Sequence, residues 1–219
     1  MATERQVLLD RVIDCGVVAV IRLDSARDPV ALASALVRGG VCTVEFTMTT
    51  PNALGAIERI VAQMGEEVVV GAGTVLDVAG ARRAFDAGAQ LIVAPTVNPE
   101  VIELTRSHGA LSVPGAQTPT EIELAMRSGA DIVKLFPGRV ATPGYFRDVL
   151  GPFPDAKLLP TGNVSLETAP EYIAAGAVAV GVGKALVDPA AAAAGRWEEI
   201  ENNARAFRQV VTRAREGRS

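Results

Sequence analysis

The sequence predicts an α/β protein: a single (β/α)8 TIM barrel with an N-terminal helix, spanning residues 1–219 as one domain. Two observations favour this fold class. Short runs rich in Val, Ile and Leu alternate with segments of helical periodicity, and the unit recurs about every 20–25 residues. Eight such apolar runs occur, and near-continuous apolar runs are typical of parallel strands buried on both faces. Eight parallel strands followed by helices close into a barrel.

The predicted strands are VVAVIRL (17–23), CTVEFTM (42–48), EVVVGAG (67–73), QLIVAPT (90–96), ALSVPGA (110–116), DIVKLFP (131–137), KLLPTGN (157–163) and VAVGVGK (178–184). An open doubly wound sheet is the alternative arrangement of the same elements. The count of eight favours the barrel, and so does the lack of a GxGxxG motif after the first strand.

The helices between the strands begin and end in the same way. The segments RGGV, DAGAQ, SHGAL, RSGAD and AAGAV each place a glycine just after the last helical turn, which predicts a glycine C-cap. Helix starts such as DPVALASAL, NPEVIEL and TPTEIELAM open with an Asp, Asn or Thr beside a proline. The last helix, 196–216, places Trp197, Ile200, Phe207 and Val211 on one stripe, which predicts packing onto the barrel.

Composition limits the classes of function. The net charge of −4 argues against a nucleic-acid or anionic-membrane partner. No apolar run is long enough to span a membrane, and the N-terminal residues lack a signal-peptide core. Cys15 and Cys42 are too few for a disulfide framework, so we expect buried free thiols. The sequence therefore predicts a soluble, cytoplasmic protein. A single histidine, His108, cannot build a multi-histidine metal site, and we expect it at a helix end.

Chemistry in such a barrel lies at the carboxyl ends of the strands. The polar residues there are Arg22, Glu45, Thr47, Thr74, Thr96, Gln117, Lys134, Thr161, Asn163 and Lys184. Glu45 and Lys134 lie within runs that are otherwise apolar, where a charged group needs a partner. One interpretation is a buried ion pair between them. The other is a nucleophilic amine beside a proton shuttle.

Lysine is scarce, which narrows the candidates for a nucleophilic amine. The chain has three lysines against eighteen arginines, and arginine stays protonated and cannot form an imine. Lys157 opens the seventh strand, on the opposite face of the barrel. Lys184 follows two glycines at a predicted helix start, where a charge suits a phosphate. Lys134 alone has apolar neighbours on both sides, and desolvation there would lower its pKa and release the free amine.

Glycine-rich segments mark a second candidate site. PTGNVS (160–165) and GVGKAL (181–186) follow the seventh and eighth strands. The loops at those two positions of a barrel frequently bind phosphate through backbone N–H groups and a helix N-terminus. The alternative interpretation is that tight turns simply need glycine.

These residues together resemble the family of 2-keto-3-deoxy-6-phosphogluconate (KDPG) aldolases, which includes 4-hydroxy-2-oxoglutarate (KHG) aldolase and 2-keto-3-deoxy-6-phosphogalactonate aldolase. The similarity covers nearly the whole chain. The resemblance implies a class I aldolase on a (β/α)8 barrel, a homotrimer that needs no metal or other cofactor. Its informative segments are VEFTMTTPNA, VGAGTVLD, VAPTVNPEVI, VPGAQTPTE, VKLFPG, GPFPDAKLLPTGNV and AVGVGKALV.

The resemblance implies that Lys134 is the Schiff-base lysine and Glu45 the acid/base. Arg22 is then expected to hold the substrate carboxylate, because Thr49 stands where many members carry an arginine. The residues expected to line the pyruvyl pocket or border the substrate are Thr74, Pro95, Phe136, Thr161 and Gly162.

Two further departures from the family pattern fall in the expected phosphate site. Asn163 replaces the usual second glycine of PTGG, and Lys184 replaces the serine usual after the glycines of the last strand. We expect Lys184 to bind the substrate phosphate, alongside backbone N–H groups near Gly162, Asn163 and Gly183.

The expected partner is a small molecule, a 2-keto-3-deoxy sugar acid phosphate, cleaved to pyruvate and glyceraldehyde 3-phosphate. The phosphogalactonate epimer and 4-hydroxy-2-oxoglutarate are alternative substrates. An alternative of another class is a phosphosugar isomerase or synthase that uses Glu45 as a base without an imine. A catalytically silent barrel, in which Glu45 and Lys134 merely pair, is the third hypothesis.

Overall fold

The computed structural model describes residues 4–24 and 28–217, in which strands and helices alternate. The strands are β1 (Val17–Ile21), β2 (Thr43–Thr47), β3 (Val69–Gly73), β4 (Leu91–Val93), β5 (Leu111–Val113), β6 (Gly115–Ala116), β7 (Val133–Leu135), β8 (Leu158–Pro160) and β9 (Val180–Val182). The helices are α1 (Glu4–Cys15), α2 (Pro29–Arg38), α3 (Ala53–Met64), α4 (Val78–Asp86), α5 (Pro99–Ser107), α6 (Pro119–Arg127), α7 (Pro143–Leu150), α8 (Thr168–Ala174), α9 (Pro189–Ala193) and α10 (Trp197–Glu216).

The strands form a curled, all-parallel arrangement. One sheet has the order β5-β4-β3-β2-β1-β9, so β1 lies between β2 and the last strand of the chain. The second sheet has the order β6-β7-β8. A parallel bridge between Thr161 and Gly181 joins the end of β8 to β9, and the Val178 N–H donates to the Leu158 carbonyl at 2.9 Å. The carboxyl ends of the strands therefore meet at one edge.

The predicted fifth strand is divided in the structure. Residues 110–116 form β5, which pairs with β4, and β6, which pairs with β7, with Pro114 between them. Proline has no N–H to donate to a ladder, so pairing is interrupted where it stands. Each of the eight predicted apolar runs contains a strand, and this interruption raises the number of strands in the described residues to nine.

The predicted helix ends are confirmed. One glycine in each of the five repeated segments adopts positive φ, a backbone conformation that side chains disfavour. These are Gly40, Gly88, Gly109, Gly129 and Gly176. At the helix starts, the side chains of Asp28 and Asn98 accept backbone N–H groups of α2 and α5, and Thr118 forms a capping box with Glu121 in α6.

The buried side chains divide between the two faces of the sheet. Val18, Val69 and Leu91 pack with Leu9 and Val12 of α1 inside the curve. Val17, Ala19 and the helices pack outside it, as the period of two along a strand requires. The N-terminal helix thus covers the interior from the side where the strands begin. The last helix buries Ile200, Phe207 and Val211, as its stripe predicts.

The structure also describes the two cysteines and the histidine that the sequence singled out. Both cysteines are free thiols, but only Cys15 is buried, and Cys42 is half-exposed rather than buried. A hydrogen bond with the Cys42 thiol, opposed by burial, lowers the pKa of Cys15 to about 5. His108 follows α5 and stacks on Phe85 with ring centroids 4.3 Å apart. None of the helices in the described residues is long and apolar enough to cross a membrane.

Candidate active site

Lys134 occupies the centre of the short strand β7, between Val133 and Leu135. It is 6% exposed, and its Nζ lies 5.1 Å from the centroid of the Phe136 ring. The register of β7 pairs Lys134 with Gly115 on one side and Leu159 on the other. Glycine and leucine offer no group to bind an ammonium, so the amine is desolvated without a hydrogen-bonding neighbour on either strand.

Glu45 lies in β2, where every residue is buried. It is 3% exposed and is paired in register with Val20 of β1 and Gly71 of β3. Its side chain lies against Gly73, the last residue of β3. In the described part of the chain its carboxyl accepts no hydrogen bond and forms no ion pair, so burial of this carboxylate is uncompensated by direct contacts.

The electrostatics of these two groups depend on each other. Burial raises the pKa of Glu45, while the charges of Lys134 and Arg22 lower it in part. Burial lowers the pKa of Lys134, the charge of Glu45 opposes that shift, and the charge of Arg22 adds to it. Desolvation is the largest cause in both cases, and it favours the neutral form of each group. A neutral amine and a protonatable carboxyl are the forms that imine and proton-transfer chemistry use.

Arg22 and Thr74 stand side by side at the ends of two strands. Arg22 follows β1, and its Nη2 donates to the Thr74 hydroxyl at 3.4 Å. Thr74 follows β3 with φ of 59°, a left-handed conformation that is a marked outlier for a β-branched residue. Backbone strain of this kind persists where the surroundings enforce it, typically at functional sites. Arg22 is exposed, so its guanidinium faces the open end of the sheet.

A group of hydroxyls fixes the loops around Arg22. Thr47, at the end of β2, contacts the hydroxyls of Thr49 and Thr50 at 3.1 and 3.2 Å. The Thr50 hydroxyl donates to the Ile21 carbonyl and accepts from the Leu23 N–H, both at 3.3 Å. The segment on either side of Arg22 is thereby tied to the loop after β2. Thr47 was expected among the strand-end residues, whereas Thr50 could not be predicted from the sequence, because a hydroxyl that bonds backbone groups leaves no periodic signal.

Pro95 lies against β6, the neighbour of β7, and Phe136 directly follows β7. The backbone at Gly115, the neighbour of Lys134, touches Pro95 so closely that a Cβ there would lie 2.3 Å from the Pro95 carbonyl oxygen. Phe136 is 37% exposed and lies between the Lys134 amine and Gly162, whose Cβ position is 3.9 Å from the ring. Both residues therefore border the space above Lys134.

A pocket of about 550 Å³ lies beside the space above Lys134. It is lined by Gly162, Asn163, Val164, Ser165, Thr168, Gly181, Gly183, Lys184 and Ala185. All four residues expected at the distal site, Gly162, Asn163, Gly183 and Lys184, are thus brought together. The Gly138 N–H donates to the Thr161 carbonyl at 2.8 Å, which ties the loop after β7 to the loop that opens this pocket.

The prediction that Lys184 stands at a helix N-terminus is wrong. Residues 184–187 form a turn in which the N–H groups of Leu186 and Val187 donate to the Gly183 carbonyl at 2.9 and 3.0 Å. The helix that follows, α9, begins at Pro189 and is capped by the side chain of Asp188. Pro189 cannot sit inside a helix interior, so it sets the helix start after the turn. Lys184 is exposed and contributes its own charge without a helix dipole.

Asn163 keeps the backbone shape that glycine would adopt in its place. Gly162 and Asn163 have φ of 92° and 60°. Asparagine tolerates the left-handed region better than other residues with a side chain. The change from glycine therefore adds an amide to the pocket without altering the turn. The hydroxyl of Thr161, just before this turn, is buried and has no hydrogen-bonding partner in the described residues.

The arrangement can support amine chemistry with a nearby carboxyl and two cationic side chains. Arg22 and Thr74 lie at the ends of β1 and β3, and Lys184 follows β9, which pairs with β1. The pocket of Lys184 also adjoins Phe136 through Gly162. Within residues 4–24 and 28–217, no group of three or more His, Cys, Asp or Glu side chains is placed to hold a metal ion. The donor set of the site is thus an amine, a carboxyl and a guanidinium.

Comparison with known proteins identifies the family of the chain. A family model described as KDPG and KHG aldolase matches residues 9–203. The 2-dehydro-3-deoxy-phosphogluconate aldolase of Treponema pallidum is 35% identical over 89% of this chain and 93% of that protein. The KHG/KDPG aldolase of Escherichia coli K12 is 34% identical over 86% of this chain and 89% of that protein.

The chain is also similar to a solved structure that contains a covalent intermediate. The KDPG aldolase from Legionella pneumophila, with pyruvate captured at low pH as a covalent carbinolamine intermediate, superposes with a TM-score of 0.83. It is 25% identical, and the match covers 94% of this chain and 98% of that one.

Proposed function

Because the chain belongs to the KDPG and KHG aldolase family, we propose that it is a class I aldolase, a lyase that cleaves KDPG to pyruvate and glyceraldehyde 3-phosphate. One observation carries the proposal: Lys134 and Glu45 are buried close enough to influence each other's ionisation, yet they do not form an ion pair in the described residues. A buried structural pair would be expected to bond directly.

The first step of the proposed reaction takes place at Lys134. The neutral amine attacks the C2 ketone of the keto acid to give a neutral carbinolamine, which takes up one proton and loses water to form a protonated imine. Burial, aided by the charge of Arg22 and opposed by Glu45, lowers the pKa of Lys134 and increases the fraction of free amine. The imine then supplies the electron sink for the next step, so the mechanism calls for no metal.

The second step breaks the bond between C3 and C4. Glu45, as carboxylate, removes the proton of the C4 hydroxyl, the C3–C4 electron pair moves toward the iminium, and the aldehyde leaves. Glu45 then returns the proton to C3 of the enamine, and water releases pyruvate from Lys134. A raised pKa suits a carboxyl that must both accept and donate a proton near neutral pH.

Arg22 is the proposed partner of the substrate carboxylate. Its guanidinium can bind a carboxylate with two parallel hydrogen bonds, which fixes the keto carbon relative to the amine. The contact from Arg22 to Thr74 supports this role, since it orients the guanidinium toward the site. The proposed walls of the pyruvyl pocket are Thr74, Pro95 and Phe136, and Thr161 and Gly162 are proposed to border the rest of the substrate.

Lys184 is the proposed partner of the distal phosphate. It shares a pocket with Gly162, Asn163 and Gly183, whose backbone N–H groups can donate to phosphate oxygens. The Asn163 amide offers a further donor. This pocket adjoins Phe136 through Gly162, and Lys184 follows β9, the neighbour of the strand that precedes Arg22. One substrate is therefore proposed to contact both cations.

The proposal extends to the architecture. We propose that residues 1–219 form one domain in which the two sheets close as a complete (β/α)8 barrel. The bridge from Thr161 to Gly181 on one side and the continuity of the chain through Pro114 on the other support closure. A homotrimer is a prediction from the family resemblance, and a cytoplasmic location is a prediction from the sequence.

Pyruvate release by the purified protein tests the function. Lactate dehydrogenase and NADH report pyruvate from KDPG, from its phosphogalactonate epimer and from 4-hydroxy-2-oxoglutarate, assayed in parallel. The largest kcat/KM is expected with KDPG. A preference for either other substrate reassigns the protein within the family, and no pyruvate from any of the three contradicts the aldolase proposal. An isomerase or a silent barrel would release none.

A further inference from the structure

Gly73 is the last residue of β3 and faces Thr47 of β2 in the parallel register. A Cβ placed on Gly73 would lie 1.7 Å from Oε1 of Glu45, 2.5 Å from its Cδ and 2.7 Å from its Cγ. These separations are far shorter than any contact between nonbonded carbon and oxygen atoms. The carboxyl of Glu45 therefore fills the volume that a side chain at position 73 would need.

The pairing of β2 with β3 gives the direction of the Glu45 side chain. Glu45 pairs with Gly71, two residues before Gly73 on the same face of β3. Its side chain consequently runs toward the carboxyl end of the sheet, and its carboxyl lies one layer nearer the open end than its own backbone. The two glycines have different neighbours. A Cβ at Gly71 would lie 2.3 Å from the Leu91 carbonyl oxygen in β4, and not against Glu45.

Backbone conformation does not account for glycine at position 73. Gly73 is absent from the glycines of the described residues that have positive φ, so another residue could adopt its dihedral angles. Nor does a close approach of two strands account for it, since the three atoms nearest its Cβ position all belong to the Glu45 side chain.

We propose that Gly73 is a positioning residue for the reaction. Because glycine has no side chain, the Glu45 carboxyl can occupy the space beside Gly73, in the layer where the substrate is bound. The inference rests on the proposed function of Glu45 as the acid/base. The atoms that a new Cβ would meet are the far end of a flexible side chain, so the fold can accept a substitution by moving the carboxyl. The expected loss is thus one of catalysis, with little loss of folding.

The test compares Gly73→Ala with Glu45→Gln. We expect Gly73→Ala to lower kcat for cleavage by roughly 10²–10⁴-fold, the share of general acid–base catalysis. It should still form a borohydride-trapped adduct with pyruvate, since the amine is untouched. In the Glu45→Gln background, Gly73→Ala should cost nothing further, because both substitutions remove the same proton transfer. Gly144→Ala, whose Cβ would meet only Thr142 Oγ1 at 3.7 Å, is the matched control and should behave as wild type.

Distinct results overturn the inference. Near-normal cleavage by Gly73→Ala would do so, and so would an equal further loss in the Glu45→Gln background, which would mean that Gly73 acts apart from Glu45. Should Gly73→Ala fold poorly, the double variant Glu45→Ala/Gly73→Ala is expected to regain the wild-type melting temperature, because the carboxyl no longer competes for the space. No recovery would also refute it. A wild-type protein that neither cleaves nor traps would instead refute the proposed function.

Discussion

Asp131 and Lys134, three residues apart at β7, hold buried charges in opposite ways. Asp131, just before the strand, accepts two hydrogen bonds from the Arg5 guanidinium, at 2.9 and 2.6 Å, and one from the Ser112 N–H at 2.9 Å. Lys134, three residues later, lies near the Phe136 ring and interacts electrostatically with Glu45 and Arg22. One carboxylate is fully partnered, and one amine is left without a hydrogen bond in the described residues.

The ion pair of Asp131 stabilises the fold, whereas the unbonded amine of Lys134 suits the proposed reaction. At the start of the strand, Arg5 of α1 binds Asp131 and fixes the N-terminal helix to the sheet. At Lys134, an equally well-bonded ammonium would be held in its charged form. Leaving Lys134 and Glu45 desolvated costs folding free energy, and in the proposed mechanism the same desolvation makes the neutral amine available.

Lys134→Met should have the largest effect. It removes the nucleophile while keeping the length of an apolar side chain, so cleavage should fall by more than the roughly 10²–10⁴-fold attributable to proton transfer. Pyruvate and borohydride should leave no adduct. Circular dichroism should show a folded protein. Turnover within tenfold of wild type would mean that the buried amine is not the nucleophile.

Glu45→Gln should lower cleavage by roughly 10²–10⁴-fold while still trapping pyruvate. The pH profile sharpens this test. Because the pKa of Glu45 is raised, the carboxylate is lost, and kcat falls, as pH drops through a value above the usual range for a glutamate. The variant should lack that acidic limb. An unchanged profile would return Glu45 to a structural role.

Lys184→Ala should raise KM for the phosphorylated substrate by roughly tenfold to a hundredfold, since a charge-assisted contact contributes about 1.5–3 kcal/mol. Trapping of pyruvate at Lys134 should be unaffected, because pyruvate carries no distal anion. Lys157→Ala is the matched control: Lys157 is exposed at the start of β8, so its removal changes the same charge elsewhere. Equal KM values for the two variants would refute a phosphate role for Lys184.

Asp131→Ala should have the smallest effect on kcat and a clear effect on folding. It leaves the Ser112 N–H and the partly buried Arg5 guanidinium without their acceptor, which should lower the free energy of unfolding by about 1–3 kcal/mol. Urea unfolding and steady-state kinetics measure the two quantities. A large loss of kcat with unchanged stability would erase the contrast between Asp131 and Lys134.

Local chemistry made much of this molecule predictable. Glycine is the residue that tolerates the left-handed turn after a helix, so the five repeated glycines indicated helix ends that the structure confirms. Lys134 stood out because an ammonium group in an apolar run violates the usual pattern of burial.

The features that were missed depend on contacts between distant segments. Pro114 divides a strand because of the ladder it faces, and Lys184 lies in a turn because Pro189 delays the helix. Gly73 resembles any strand glycine until Glu45 of the neighbouring strand is seen against it. No local pattern along the chain encodes these pairings.

The identity of the nucleophile, proposed to be the desolvated amine of Lys134, can be determined directly. The protein is incubated with pyruvate and sodium borohydride and digested, and the reduced adduct is located by mass spectrometry. We expect loss of activity and one modified residue, Lys134, with Lys157 and Lys184 unmodified. An adduct on Lys184, or no adduct on any of the three lysines, would contradict it.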